Sequence, residues 1–339
     1  MTARRDLKNI IRERQARTGE SYAAARTHVM RARAERLGLS LDSTPADSRE
    51  RLEAIVLKVN ERSVRVRVPS EGTQVTFRSG DASGVVPGHV VTLVVKRRWT
   101  WAGDAYASGA IESPHIDVAK LGLPPLPLQA FDPAYDLRSA YEPFLSPDPY
   151  APLWRKLTAK RRPAYDMDPL AWGVFPGAED LEENPTCDAA DLVEEGDVEG
   201  ARALLMDALL RDLRCIDAHA LLGNIVFDRA PERALVHYEM GFRIGELSLP
   251  TGFDGVLLWG RIFNRPFLRC LHGYALCLWR LGRAPEAQVV FERILSLSPN
   301  DNQGARFCLE DVRNGRKWEA AQGGDGAFGV GAELSQTLN

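Results

Sequence analysis

Apolar positions along this chain first recur at helical spacing, then alternate, then return to helical spacing, and these changes of period divide it. Leu7, Ile10 and Ile11 make a short helical stripe, with Gly19 placed to stop the helix and Ser21 to cap a second one through Tyr22, Ala25 and Val29. Further on the period becomes two. Val64, Val66 and Val68 alternate with Arg65 and Arg67, the pattern of a strand with one buried and one wet face. Leu52 to Val59, Gln74 to Arg78, Val90 to Lys96 and Ala105 to Ile111 extend this to about five strands, punctuated by Gly80, Gly84, Pro87-Gly88 and Gly103-Asp104. Five short strands in about 60 residues predict a small closed barrel of OB or SH3-like type, because closure removes exposed sheet edges.

Toward the C-terminus the helical faces repeat. Leu271, Tyr274, Ala275 and Leu278 fall on one face of a helix, Gly282 lies in a turn, Ala287, Phe291 and Ile294 line the facing side of a second helix, and Pro299 closes the unit. The small residues Ala275 and Ala287 let two antiparallel helices approach closely. Asp217 to Gly245 reads as a preceding unit through Ala218, Leu221, Leu222, Gly223, Ala234, Tyr238 and Gly241, and Ala189 to Arg214 as one before that, with Gly196 in its turn and Ala201, Leu205 and Ala208 beyond. One unit cannot bury its own apolar face, so stacked neighbours are expected. Ala201 and Ala234 are about 33 residues apart but Ala234 and Ala287 about 53, so about 19 residues, roughly Leu247 to Asn264, are inserted and expected as a loop on one face.

These positions resemble the 34-residue tetratricopeptide (TPR) repeat. The segment Leu278 to Leu309 is similar to the C-terminal ends of bacterial TPR proteins whose function is unassigned. The resemblance covers somewhat over a third of the chain. It implies an all-helical, concave surface that binds a protein or peptide, without catalysis. The fold expected is therefore multidomain α+β: a basic helical pair over residues 1–40, a barrel over 50–112, a connector over 113–186, TPR-like repeats over 187–318 and a disordered Gly-rich tail over 319–339. More than half of the 21 prolines fall in the connector, which argues against regular structure there, while its aromatic residues argue for patches of packing.

Charge changes the picture. The chain carries a formal net charge of -3, yet residues 1–112 carry about +7 and the remainder about -10, which points to two separate surfaces. No apolar run is long enough to span a bilayer and the basic N-terminus has no signal-peptide core, so a soluble cytoplasmic protein without a membrane partner is expected. The five cysteines form no CxxC pair and read as small buried hydrophobes, so no metal is implied. Neither HExxH, GxSxG, a P-loop nor a dinucleotide fingerprint occurs, so no enzyme and no cofactor is expected.

Two constellations remain as candidate sites. In the repeat register, Arg269, His272, Trp279 and Arg280 point into the concave groove, with Asn224, Phe227, Asp217 and Asp228 from the preceding unit beside them. An Asn and paired cations there resemble the carboxylate-clamp TPRs, although Asp217 and Asp228 would repel a carboxylate, and Trp279 is the expected anchor for an acidic or amphipathic peptide. The alternative is a protein that contacts DNA or RNA through its basic N-terminal helices and its barrel, with the repeats recruiting a partner. Lys96, Arg97, Arg98, Trp99 and Trp101 cluster at a hairpin end near Arg65, Arg67 and Arg78, and rings that stack on bases beside cations that follow a backbone are what a single strand needs. The plainer reading of the same residues, and the more common one in a generic barrel, is that one tryptophan caps the barrel with arginine side chains lying over it.

Overall fold

A computed structural model describes residues 3–19, 25, 28–29, 32, 50–137, 150–174 and 184–322. They fall into two compact units, Met1–Val85 with His89–His115, and Val86–Gly88 with Ile116–Asn339. Among the described residues no helix is long and apolar enough to cross a membrane.

In the first unit, α1 (Ala3–Thr18) ends where Gly19 takes a left-handed φ of 71° and its N–H reaches the Gln15 carbonyl. Most of the expected second helix lies outside the described residues, as does the expected tail beyond Gln322, while 319–322 are helical and not disordered. The alternating segment forms β1 (Arg51–Asn60), β2 (Ser63–Val68), β3 (Thr73–Arg78), β4 (Val90–Trp101) and β5 (Asp104–His115). They close as a barrel in the order β1-β2-β3-β5-β4, antiparallel throughout except for the parallel pair β3 and β5. Val64, Val66, Val68, Val75, Phe77 and Leu93 fill the interior, so the period-two pattern is met by a buried inner face. A two-residue turn joins β4 to β5, and both of its residues, Ala102 and Gly103, have positive φ (50° and 87°), which is what a tight hairpin between twisted strands requires.

In the second unit the proline-rich stretch is more regular than its composition predicts. It contains an antiparallel hairpin, β6 (Leu128–Tyr135) with β7 (Arg162–Met167), and a short helix, α2 (Ala151–Leu157). Proline is tolerated there because the pairing breaks register between Ala130 and Asp132 and again before Tyr135, and Pro133 sits in the second break, where no ladder donor is needed. The insertion is not a free loop either. Val256 bridges to β7, its N–H donating to the Pro163 carbonyl and its carbonyl accepting from Tyr165, and Val256, Leu257 and Leu258 are buried.

The remaining elements are helices α3 (Pro185–Glu194), α4 (Val198–Arg211), α5 (Ile216–Val226), α6 (Pro231–Glu246), α7 (Arg265–Arg280), α8 (Ala284–Leu297), α9 (Ala305–Arg313) and the short α10 (Trp318–Gln322). From α3 to α9 each helix packs on the next, and α5 also touches α3 and α7. Ala201, Leu205, Ala234, Leu271, Ala275, Ala287, Phe291 and Ile294 are all buried in these interfaces. Tyr238 is clamped between Gly223 of α5 and Gly273 of α7, where any Cβ would collide with its ring. At the stack's end Leu309 is buried as a cover, but Phe307 is not: 41% of it is exposed. Asn264 stands at the N-terminal end of α7, just before Arg265 and Pro266, but makes no side-chain cap and is used elsewhere.

Candidate interaction surfaces

On the barrel, the register sets four side chains from four strands in one row across the outer face: Arg65 of β2 opposite Thr76 of β3, Thr76 opposite Tyr106 of β5, and Tyr106 opposite Trp99 of β4. The neighbouring rows place Arg67 opposite Gln74 on one side, and Arg78 and Arg97 opposite Ser108 on the other. Trp99 and Tyr106 stack, with ring centroids 5.6 Å apart and planes 11° from parallel. The exposed guanidinium of Arg78 lies 5.4 Å from the Trp99 ring and 5.8 Å from Tyr106, and that of Arg97 lies 6.0 Å from Trp99. Arg65 donates to Gln74 and Thr76 and sits 3.8 Å from Asp104. Cations and aromatics thus share one face, and the arginine-over-tryptophan arrangement is part of it rather than an alternative to it. Arg78, expected near the cluster, is beside Trp99, whereas Tyr106 was missed from the sequence because its place in the row arises only when β3 and β5 pair.

The rest of the hairpin cluster divides. Lys96 is exposed at the bulge where β4 and β5 lose register between Val95 and Arg97, and Trp101 flanks the Ala102-Gly103 turn. Arg98 does not join the outer face. Its partner across the ladder is the inward Ala107, and its guanidinium is held by two carboxylates, Glu50 at 2.6 Å and Glu71 at 2.7 Å, so the Glu71 hydrogen bond raises its pKa and that of Glu71 is lowered in return. It stands at a cavity of about 370 Å³ lined by Leu52, Val68, Val75, Leu93 and Val95.

In the helical unit every groove candidate has a partner within the chain. Arg269 forms an ion pair with Asp217 at 2.8 Å, linking α7 to α5, with side chains only 12% and 3% exposed. The Asn224 Oδ1 accepts from the Tyr238 hydroxyl at 2.6 Å. His272 lies edge-on to Phe291, burial lowers its pKa to about 4, and its Nε2 has no hydrogen-bond partner among the described residues. Arg280 donates to the carbonyls of Phe227 and Asp228, where a cation complements the C-terminal end of α5. Trp279 and Phe227 are buried, at 4% and 2% exposure. The expectation of an open groove anchored on an exposed Trp279 is therefore corrected. Its ring meets Trp318 of α10 edge-on at 5.3 Å and its Nε1 donates to the Arg316 carbonyl at 2.8 Å, so the segment that follows α9 covers it. The turn Pro169–Trp172 packs on the same two helices, α5 and α7.

Cys215, Cys270 and Cys277 are buried in the helix interfaces, and burial pushes the Cys215 thiol up to about 12, so these are packing groups and not nucleophiles. Among the described residues no cluster of three or more His, Cys, Asp or Glu is placed to hold a metal ion. Comparison with protein-family models, with curated proteins and with solved structures finds no match.

Proposed function

We propose that the chain is a non-enzymatic binding protein whose barrel holds single-stranded nucleic acid on its outer face. The observation that carries this is the cross-strand row of Arg65, Thr76, Tyr106 and Trp99 with Arg78 and Arg97 over the rings. Rings supply stacking for bases of any sequence, and exposed arginines beside them supply charge for the backbone. The basic excess of residues 1–112 favours the same partner. The closed order β1-β2-β3-β5-β4 with its parallel β3 and β5 pair supports the OB side of the OB/SH3-like expectation, and in OB barrels the β2 and β3 face and the β4 to β5 loop are the usual contact surface. Anisotropy of a labelled oligothymidylate tests it. Trp99→Ala should weaken binding by about tenfold, in line with ~1–3 kcal/mol for one stacked base. Arg78→Ala should lower the slope of log K against log salt by about 0.7. Absence of binding at low salt, or binding that neither substitution alters, would sink the proposal.

A second reading has its own support: a soluble, cytoplasmic interaction scaffold in which TPR-like repeats receive a protein or peptide. Buried residues recur at matching positions of successive helix pairs, Ala218 and Leu222 in one and Leu271 and Ala275 in the next, as stacked repeats require. In this reading the concave positions of α5 and α7 are where a partner would compete with contacts the chain now makes to itself.

A further inference from the structure

Where α5 and α7 end, side chains from both helices meet a ring from the chain's own C-terminal segment. Phe227 follows α5, Trp279 and Arg280 end α7, and Trp318 opens α10. The Trp318 ring is edge-on to both Trp279 (5.3 Å) and Phe227 (5.9 Å), and the Arg280 guanidinium lies 6.0 Å from it and 5.2 Å from Phe227. The pocket is thus built from the ends of both helices, and Trp318 is what fills it.

The occupant is weakly built. α10 has five residues, too few for a helix to persist without an anchor, and Arg313 to Lys317 before it are exposed. What ties this segment to α7 is the Trp318 ring and the Trp279 Nε1 bond to the Arg316 carbonyl. The receiving side is firm by comparison. Arg280 is fixed by two bonds to backbone carbonyls, so its guanidinium stays in place when Trp318 leaves. Arg280 also has the Asp228 carboxylate 3.7 Å away, which turns the pocket away from acidic termini and toward a ring that packs edge-on to aromatics and under a cation.

We propose that this pocket is a docking site for an aromatic side chain on a short segment of a partner protein, and that Trp318 fills it in cis until such a segment displaces it. The partner's segment presents a Trp or Phe, with a free backbone carbonyl two residues earlier for the Trp279 indole, as Arg316 stands to Trp318. This rests on the scaffold reading only in taking the α5 and α7 face for a binding surface.

The test uses the full chain and a labelled synthetic peptide with the sequence of residues 314–322. The Trp318→Ala chain should bind that peptide at least about tenfold more tightly than the unsubstituted chain does, because its pocket is no longer occupied. The same peptide with alanine in place of tryptophan should not bind. No binding to the Trp318→Ala chain would overturn the proposal. Hydrogen exchange on the unsubstituted chain reads the displacement without any variant. Amides of 318–322 should exchange at least tenfold faster than those of the α7 interior. Equal protection in both would overturn displacement. Equal peptide affinity in the two chains would overturn the cis occupancy while leaving the face a binding surface, so the two readings fail separately.

Discussion

Asp217 and Arg269 show what becomes of a groove position when the chain supplies its partner. They lie 52 residues apart and meet at 2.8 Å with almost no exposure, so each is the other's compensation for lost hydration. Removing one leaves a buried charge unpaired, which costs far more than the net worth of the pair. Asp217→Ala should therefore destabilise the helical unit by about 3–5 kcal/mol in urea unfolding, whereas Asp217→Leu combined with Arg269→Met should recover most of that loss. A single substitution costing less than about 1 kcal/mol would mean that the pair is hydrated. The sequence showed both charges and set them along one groove. What it does not carry is the rotation that brings α5 against α7, and so it read two groove-lining charges where there is one bond. Arg98 was misread in the same way: Glu50 and Glu71, its partners, come from 48 and 27 residues away.

Elements were legible where one period ran long enough to declare itself. The five strands of the barrel and the helix pairs around Ala201, Ala234 and Ala287 follow from alternation and from helical spacing, since a buried inner face and a buried helix stripe each demand one pattern. The hairpin of β6 and β7 was not legible, because its prolines sit in breaks of the ladder and its third partner, Val256, is in another part of the chain. One side chain ties these pieces together. Asn264, fully buried, accepts from the Met167 N–H at 3.0 Å and donates to the carbonyls of Tyr165 (2.8 Å) and Leu258 (3.3 Å). Its position before Pro266 reads as a helix cap, but the side chain closes the edge of β7 instead. Asn264→Ala would strand a buried donor and a buried acceptor, so a loss of about 2–4 kcal/mol is expected by chemical denaturation. A change under about 0.5 kcal/mol would show that water replaces the amide.

At the scale of the whole molecule, the opposite charge of the two halves is matched by two candidate surfaces of different chemistry. One is the arginine and aromatic face of the barrel, carried by the basic residues 1–112; the other is the aromatic pocket of the helical unit, in the acidic remainder. Of the first, Trp99 and Arg97 were readable because they lie in one hairpin, whereas the ring of Tyr106 under Arg78 follows only from the pairing of β3 with β5. Of the second, Trp279 and Phe227 were readable from the repeat register but Trp318 was not, since a single tryptophan beyond the last helix pair belongs to no pattern. The two surfaces are built from different residues in separate compact units, and substitutions without common partners add within about 0.5 kcal/mol. Trp99→Ala should then reduce oligothymidylate affinity by the same factor in the unsubstituted and the Trp318→Ala chains. Reciprocally, Trp318→Ala should raise affinity for the 314–322 peptide equally with or without Trp99→Ala. Both halves of this cycle are read by anisotropy on one set of four proteins. A coupling above about 1 kcal/mol in either half would mean that occupation of the pocket and binding on the barrel bias a common equilibrium, and the two surfaces would have to be treated as one regulated device.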